Sequence, residues 1–167
     1  DNTRSITGCV ATAMAIVMRH NSWPAHGTGV INSYLTMSTN TYIPADPIEN
    51  HTYEWNDMPM TNANDGKSVW KAAQKRQVAQ LMYDCGVSVE MDYTSVASSA
   101  SSDYIAYALK TYFSYSDKAM EVFRASYGVD EWLTLMKDEI DADRVVLYCG
   151  NGDVGGHAFV CDGYDME

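Results

Sequence analysis

Residues 8–24, GCVATAMAIVMRHNSWP, carry the pattern of a short buried helix. Val10, Ala13, Met14 and Val17 recur at helical spacing. Arg19 and His20 suit the last turn, where cations meet the negative end of the helix dipole. Trp23-Pro24 then stops the helix, which the pattern places over Cys9–His20. Cys9 follows a glycine and opens this helix. Unpaired backbone N–H groups at that end stabilise an anion, and the thiolate is the reactive form of cysteine. The same groups can hold an oxyanion developing on a substrate carbonyl. A free cysteine is also a common small core residue, and position alone leaves both readings open.

The far end of the chain holds a second candidate. Gly155-Gly156-His157-Ala158-Phe159-Val160 places a histidine at the start of an apolar strand, directly after two glycines. Glycines let an extended substrate backbone approach closely. An imidazole on such a strand can pair with a thiolate and later protonate a leaving amine. Taken alone, a structural histidine at a turn is the commoner explanation. His20, His26 and His51 are weaker candidates, lying at a helix end or in irregular sequence. An early Cys at a helix start and a late His on a strand, 148 positions apart, form the arrangement of papain-like cysteine peptidases.

Between these ends the chain divides into recognisable parts. Ala25 to Gly66 is rich in Asn, Thr, Tyr and Pro and reads as a long irregular excursion, with short strands near Val30–Leu35 and His51–Trp55. Ser68–Asp84 reads as a helix with Val69, Ala72, Ala73, Val78, Leu81 and Met82 as its apolar stripe and Gly86 just past its end. Residues 95–102, SVASSASS, form a surface loop, and Ser102 is placed to cap a helix through Tyr112. Asp130 opens a fourth helix to about Asp141, with Trp132, Leu133, Met136 and Ile140 on one face. Strands Arg144–Cys149 and His157–Cys161 close the chain. Helices first and a sheet last predict an α+β fold rather than alternating βαβ units.

The 167 residues amount to about one domain. A balance of 11 Lys+Arg against 22 Asp+Glu gives a formal charge of −11, which argues against a nucleic-acid partner because phosphate contacts need a basic surplus. Hydrophobic residues at 46% and charged residues at 20% predict a sizeable core rather than disorder. No run approaches the ~18 apolar residues of a membrane span. Asp1–Thr7 is polar, so no signal peptide is visible, and an exported protein would already be processed here. Cys9, Cys85, Cys149 and Cys161 show no CxxC spacing, and the histidines show no HExxH or His-x-His cluster. No metal site and no cofactor are therefore expected. Cys85, Cys149 and Cys161 are expected to be buried, inert thiols, with Cys149 and Cys161 the pair most apt to bridge.

The segment GCVATAMAIVMRHNSWP closely resembles the active-site segment of the streptopain family of bacterial cysteine peptidases. GDVGGHAFVCDGYD resembles that family's histidine segment, and LMYDCGVSVEMDY with the Ser-rich loop after it resembles the stretch between them. The resemblance covers most of residues 7–165 and is weakest from about Thr28 to Asp65. It implies a single papain-like catalytic domain over 1–167, with a helical part carrying the Cys and an antiparallel sheet carrying the His. It implies Cys9 as nucleophile, His157 as general base and acid, and the Cys9 N–H as one oxyanion donor. Gly156 would back the substrate beside the scissile bond, and Ser99 would contact the substrate backbone.

Members of that family place a Gln some thirty residues before the Cys as second oxyanion donor. They also place an Asn–Trp pair roughly sixteen residues after the His, and an inhibitory propeptide at the N-terminus. None of these falls within the 167 residues, so the domain is expected to lack family segments at both ends, to be supplied by further segments of the enzyme. Ile16 stands where the family has Gln. The implied function is a secreted bacterial cysteine endopeptidase acting on proteins or peptides through a Cys9 acyl-enzyme, with specificity for a hydrophobic residue one position before P1. Two alternatives stand beside it. One is acyl transfer on a small amide by the same pair. The other is a non-catalytic or processed fragment serving as a binding module. A thiol-reactive peptidomimetic separates an enzyme from a binding module, because only an enzyme is labelled selectively at Cys9.

Overall fold

The computed structural model describes residues 4–60, 69–153 and 155–165. Helix α1 spans Cys9–Asn21, one residue past the expected end. It is held by packing rather than propensity, because an isolated helix of 13 residues is marginal in water. Ala11, Met14 and Met18 are completely or almost completely buried, each apolar side chain of Met size contributing roughly 1.5–3 kcal/mol. Ser22 ends the helix in the left-handed conformation, φ 48°, and its N–H and that of Trp23 close onto the carbonyls of Arg19 and Met18.

Among its described residues the excursion after α1 forms one small antiparallel pair, β1 (Tyr34–Leu35) with β2 (Tyr42–Ile43), much shorter than the expected strand over Val30–Leu35. The second expected strand, His51–Trp55, is not one. Thr52 alone bridges His26, and Trp55–Asp57 turns as a 3-10 helix. The excursion is tied to α1 through Arg19, whose Nε donates to the Met58 carbonyl at 2.7 Å.

Helix α2 spans Ala72–Ser88. Ser68, its expected first residue, lies outside the described residues. Gln74 Oε1 accepts the Lys71 N–H at 2.7 Å and satisfies one of the orphan donors at the helix start. The expected stripe and the expected end both fail here: Ala72 and Ala73 are exposed, and the helix runs past Asp84 to Ser88. Val69 is 91% exposed rather than part of the apolar stripe, because the helix begins after it and its buried residues start at Leu81. Gly86 lies inside the helix rather than past its end. Its missing side chain makes room for the Tyr93 hydroxyl, and Glu90 takes the left-handed position instead, φ 52°. α1 and α2 cross through Met18 and Cys85, whose sulfurs lie 3.6 Å apart.

Helix α3 spans Asp103–Tyr112 and buries Ile105, Ala108 and Leu109 in the same core, with Phe113 just beyond it. Ser102 does not cap it. Ser102 has helical dihedrals, and the Asp103 N–H reaches Ser101 Oγ instead. Helix α4 spans Val129–Asp141, with Glu131 Oε2 accepting the Gly128 N–H at 2.8 Å. Of its expected face only Trp132 is buried, edge-on to Tyr148 at 5.9 Å, while Leu133 is 51% exposed.

Strands β3 (Val146–Gly152) and β4 (Gly155–Cys161) form an antiparallel hairpin with Gly150 opposite His157 and Cys149 opposite Ala158. Ala158 is buried in the helical core and puts that face of the hairpin against α1. The described elements are thus helices packed on an antiparallel hairpin, the α+β arrangement expected.

Candidate active site

Gly8 sets the entry to α1. Its φ of 91° suits glycine, and its carbonyl accepts both the N–H and the hydroxyl of Thr12. Two anchors hold the preceding segment. The Ile6 N–H donates to the Thr94 carbonyl, and Ser98 Oγ donates to the Ile6 carbonyl at 2.5 Å. The Ser-rich loop therefore packs beside the residue ahead of Gly8-Cys9. Within that loop Ser98 is buried and structural, whereas Ser99 is exposed and bridges Asp92 through reciprocal backbone hydrogen bonds. No acidic residue lies in the first turn of α1, so the positive end of the helix faces Cys9 without a competing carboxylate there. Cys9 itself is half-buried. A groove of about 380 Å³ opens beside Thr7, walled by Trp70, Val78, Met82 and Tyr93.

His157 sits on β4, the strand that packs against α1. It is exposed, and its ring stacks on Phe159 at 6.4 Å and 19°. Successive strand residues alternate faces, so His157 and Phe159 share one face while Ala158 looks into the core. Among the described residues no hydrogen bond joins Cys9 Sγ to the imidazole. The elements carrying the two side chains are adjacent, but the side chains are not engaged with each other. Gly156 lies opposite Asn151, and a β-carbon on it would approach Asn151 Oδ1 to 2.7 Å.

The remaining thiols divide differently from expectation. All four cysteines are free. Cys85 is fully buried, and burial, with the Asp84 charge beside it, holds its thiol well above the ordinary range. Cys149 is exposed and Cys161 half-exposed, because the hairpin is covered on fewer sides than a central sheet strand. The two are not paired, since Cys161 lies opposite Val146. Cys149 shares the α1-facing side of the hairpin with Ala158. Although the residue as a whole is exposed, partial desolvation of the thiol on that side raises it first, and the charges of Glu121 and Cys9 add to this.

One group of residues carried no signal in the sequence. Asp46, His51 and Asp84 come from distant positions, and one ligand-bearing atom of each lies within 4.8 Å of the others. Asp84 is fully buried. Its Oδ2 accepts from the Tyr53 hydroxyl at 2.7 Å and its Oδ1 from Gln80 Nε2 at 2.7 Å. Burial pushes the Asp84 carboxyl up, and the hydrogen bonds from Tyr53, Gln80 and His51 oppose that shift. Burial and the neighbouring Asp84 charge likewise raise Asp46.

The profile of the Peptidase C10 family matches residues 1–167. The chain belongs to the Peptidase C10 family. Among its C10 relatives, streptopain of Streptococcus pyogenes serotype M28 (strain MGAS6180) is 35% identical over 164 residues, covering 95% of this chain and 40% of streptopain. The thiol protease/hemagglutinin PrtT of Porphyromonas gingivalis is 33% identical over 164 residues, 98% of this chain and 18% of PrtT. The structure of active wild-type interpain A cysteine protease from Prevotella intermedia superposes with a TM-score of 0.83 at 32% identity. That match covers 97% of this chain and 67% of interpain A. A prointerpain A fragment gives a TM-score of 0.84, with 99% of this chain and 52% of the fragment covered. The fold is thus the papain-like fold of C10 peptidases, and the chain spans about 40% of the length of streptopain.

Proposed function

We propose that residues 1–167 are the Cys- and His-bearing part of the catalytic domain of a bacterial cysteine endopeptidase, completed by further segments of the same enzyme. The observation that carries this reading is Cys9, half-buried at a helix N-terminus behind Gly8 in a member of the Peptidase C10 family. Cys9 thiolate attacks the scissile carbonyl carbon, and its backbone N–H holds the resulting oxyanion. His157 gives a proton to the leaving amine as the intermediate collapses to a thioester. Water then attacks the thioester while His157 takes its proton, and the acid leaves as the thiolate is expelled, which restores the starting pair. Reaching this geometry requires the imidazole to leave its stack on Phe159. Gly156 and Ser99 line the substrate backbone, Gly156 because it presents no side chain and Ser99 because it is exposed at the loop edge.

The substrates are proteins or peptides. An inhibitory propeptide is a natural partner of such an enzyme, and a prointerpain A fragment is among the matching structures. We place the enzyme outside the cell on its likeness to streptopain. No described helix is long and apolar enough to cross a membrane.

The test is labelling by a peptidyl acyloxymethyl ketone followed by peptide mapping. Modification confined to Cys9, lost in His157→Ala, supports the enzyme. Equal labelling of Cys9 and Cys149, unaffected by His157→Ala, identifies a non-catalytic module with ordinary thiols.

A further inference from the structure

The cluster of Asp46, His51 and Asp84 is separate from the candidate active site. Asp84 precedes Cys85, which packs on Met18, and Met18 lies nine residues along α1 from Cys9, a rise of about 14 Å. His51 is wedged between two carboxylates. Its Nδ1 lies 3.1 Å from Asp84 Oδ2 and its Nε2 3.6 Å from Asp46 Oδ1. The Asp46 side chain is 9% exposed, and its Oδ2 is buried without any hydrogen-bond partner. Reciprocal backbone hydrogen bonds with Ile31 fix the main chain of Asp46 on both sides. Among the described residues neither carboxylate pairs with a lysine or arginine. With its proton on Nε2, toward Asp46 Oδ1, the imidazole turns its Nδ1 lone pair to the side of Asp84 Oδ2 and of Gln80 Nε2, 3.2 Å away. One ligand atom from each of the three residues lies within 4.8 Å of the others, and Asp46 keeps one buried oxygen without a hydrogen-bond partner.

We propose that Asp46, His51 and Asp84 form a structural site for one divalent cation of the zinc class. Zinc takes imidazole nitrogen and carboxylate oxygen at about 2.0–2.2 Å, which in a tetrahedron sets ligand atoms about 3.4 Å apart. The His51–Asp84 approach already meets that spacing, and a side-chain shift of about 1 Å brings in Asp46. A dication balances two carboxylates and gives Asp46 Oδ2 the partner it lacks. The outer support is in place, because Tyr53 and Gln80 fix both oxygens of Asp84. His51 keeps 23% of its side chain open to solvent, which supplies an entry path. Asp46 and His51 belong to the excursion after α1 and Asp84 to α2, so the cation would fasten the excursion to the helical core.

The experiment uses the intact protein carrying Cys9→Ala, which removes a competing thiol. After dialysis against a chelator it is titrated with Co²⁺ and with Zn²⁺. The expected result is one equivalent bound, visible cobalt bands without thiolate charge transfer, and a melting temperature that rises with Zn²⁺. Asp46→Asn and His51→Gln should weaken binding by at least ~100-fold, and Tyr53→Phe by about 10-fold. Asp46→Asn removes a buried charge and should fold at least as well without metal, so its loss of binding is not unfolding. Binding that survives both ligand substitutions, thiolate bands abolished by Cys149→Ser, or stabilisation by Ca²⁺ alone would each overturn the proposal. So would the absence of stoichiometric binding, which would leave a proton as the ion that balances the cluster.

Discussion

Gly8 and Met91 are packed so closely that a β-carbon on Gly8 would lie 2.7 Å from the Met91 sulfur. Met91 is itself fully buried, with its carbonyl held by the Tyr34 hydroxyl and its N–H by the Gly86 carbonyl. The methionine has little room to yield, and the Ser98 carbonyl would sit 3.2 Å from the same β-carbon. The start of the helix that carries Cys9 is therefore fixed from two sides by the 91–98 region.

Gly8→Ala should cost about 1–3 kcal/mol from its positive φ alone, before any overlap with Met91. For a domain of this size each kcal/mol lowers the melting temperature by about 2–4 °C. Calorimetry reads the loss, and a peptide-cleavage assay below the transition should fall as well, because Cys9 is displaced. A Gly8→Ala protein with parental stability would show that the entry to α1 is not constrained in this way.

Thiol counting separates the four cysteines. Cys85 should react with a small disulfide reagent only on unfolding, because it is fully buried and its thiol is pushed well up. Cys9, Cys149 and Cys161 should react in the native protein. Cys9→Ala should abolish peptide cleavage with little change in stability, whereas Cys149→Ala should retain activity. Loss of activity in Cys149→Ala at unchanged stability would assign that thiol a part in the chemistry.

Gly86→Ala should destabilise the protein although alanine is the better helix former by about 1 kcal/mol. The new methyl meets the Tyr93 hydroxyl, and overpacking of this kind costs about 1–3 kcal/mol. Adding Tyr93→Phe removes the oxygen and should recover most of the loss in a double-mutant cycle by denaturant unfolding. Additive effects would place the strain elsewhere.

Asp92 gives a local pH dependence. The Ser38 hydroxyl first, then its backbone N–H, hold the Asp92 carboxyl below the usual aspartate range. The folded value is depressed, so the stabilisation is present above the unfolded value and disappears as pH falls through the folded one. Exchange of the Ser38 amide hydrogen, corrected for intrinsic rates, should accelerate on acidification. Asp92→Asn should remove that acceleration, and an unchanged profile in the variant would refute the coupling.

Much of this protein was legible in one dimension. Strong periodicity located α1 to within a residue, because its buried positions follow helical spacing and Pro24 stops it. The motifs around Cys9 and His157 identified the C10 family, because local sequence encodes a helix start and a glycine-flanked strand. Less was legible where a residue's fate depends on a distant neighbour. Gly86 looks like a helix stop until Tyr93 occupies its missing side chain. Cys149 looks like a core residue until the hairpin leaves it exposed.

The sequence by itself determined the α+β class, the family and the two candidate catalytic residues, because each rests on local pattern. Tertiary structure alone decided that Ser98 anchors the segment ahead of Cys9 while Ser99 stays exposed, and that His157 lies beside Phe159. It alone joined Asp46 and His51 to Asp84, 33 residues beyond His51. Such a cluster has no spacing rule, because its members meet through the packing of separate elements and the cost of burying charge is set only once they meet.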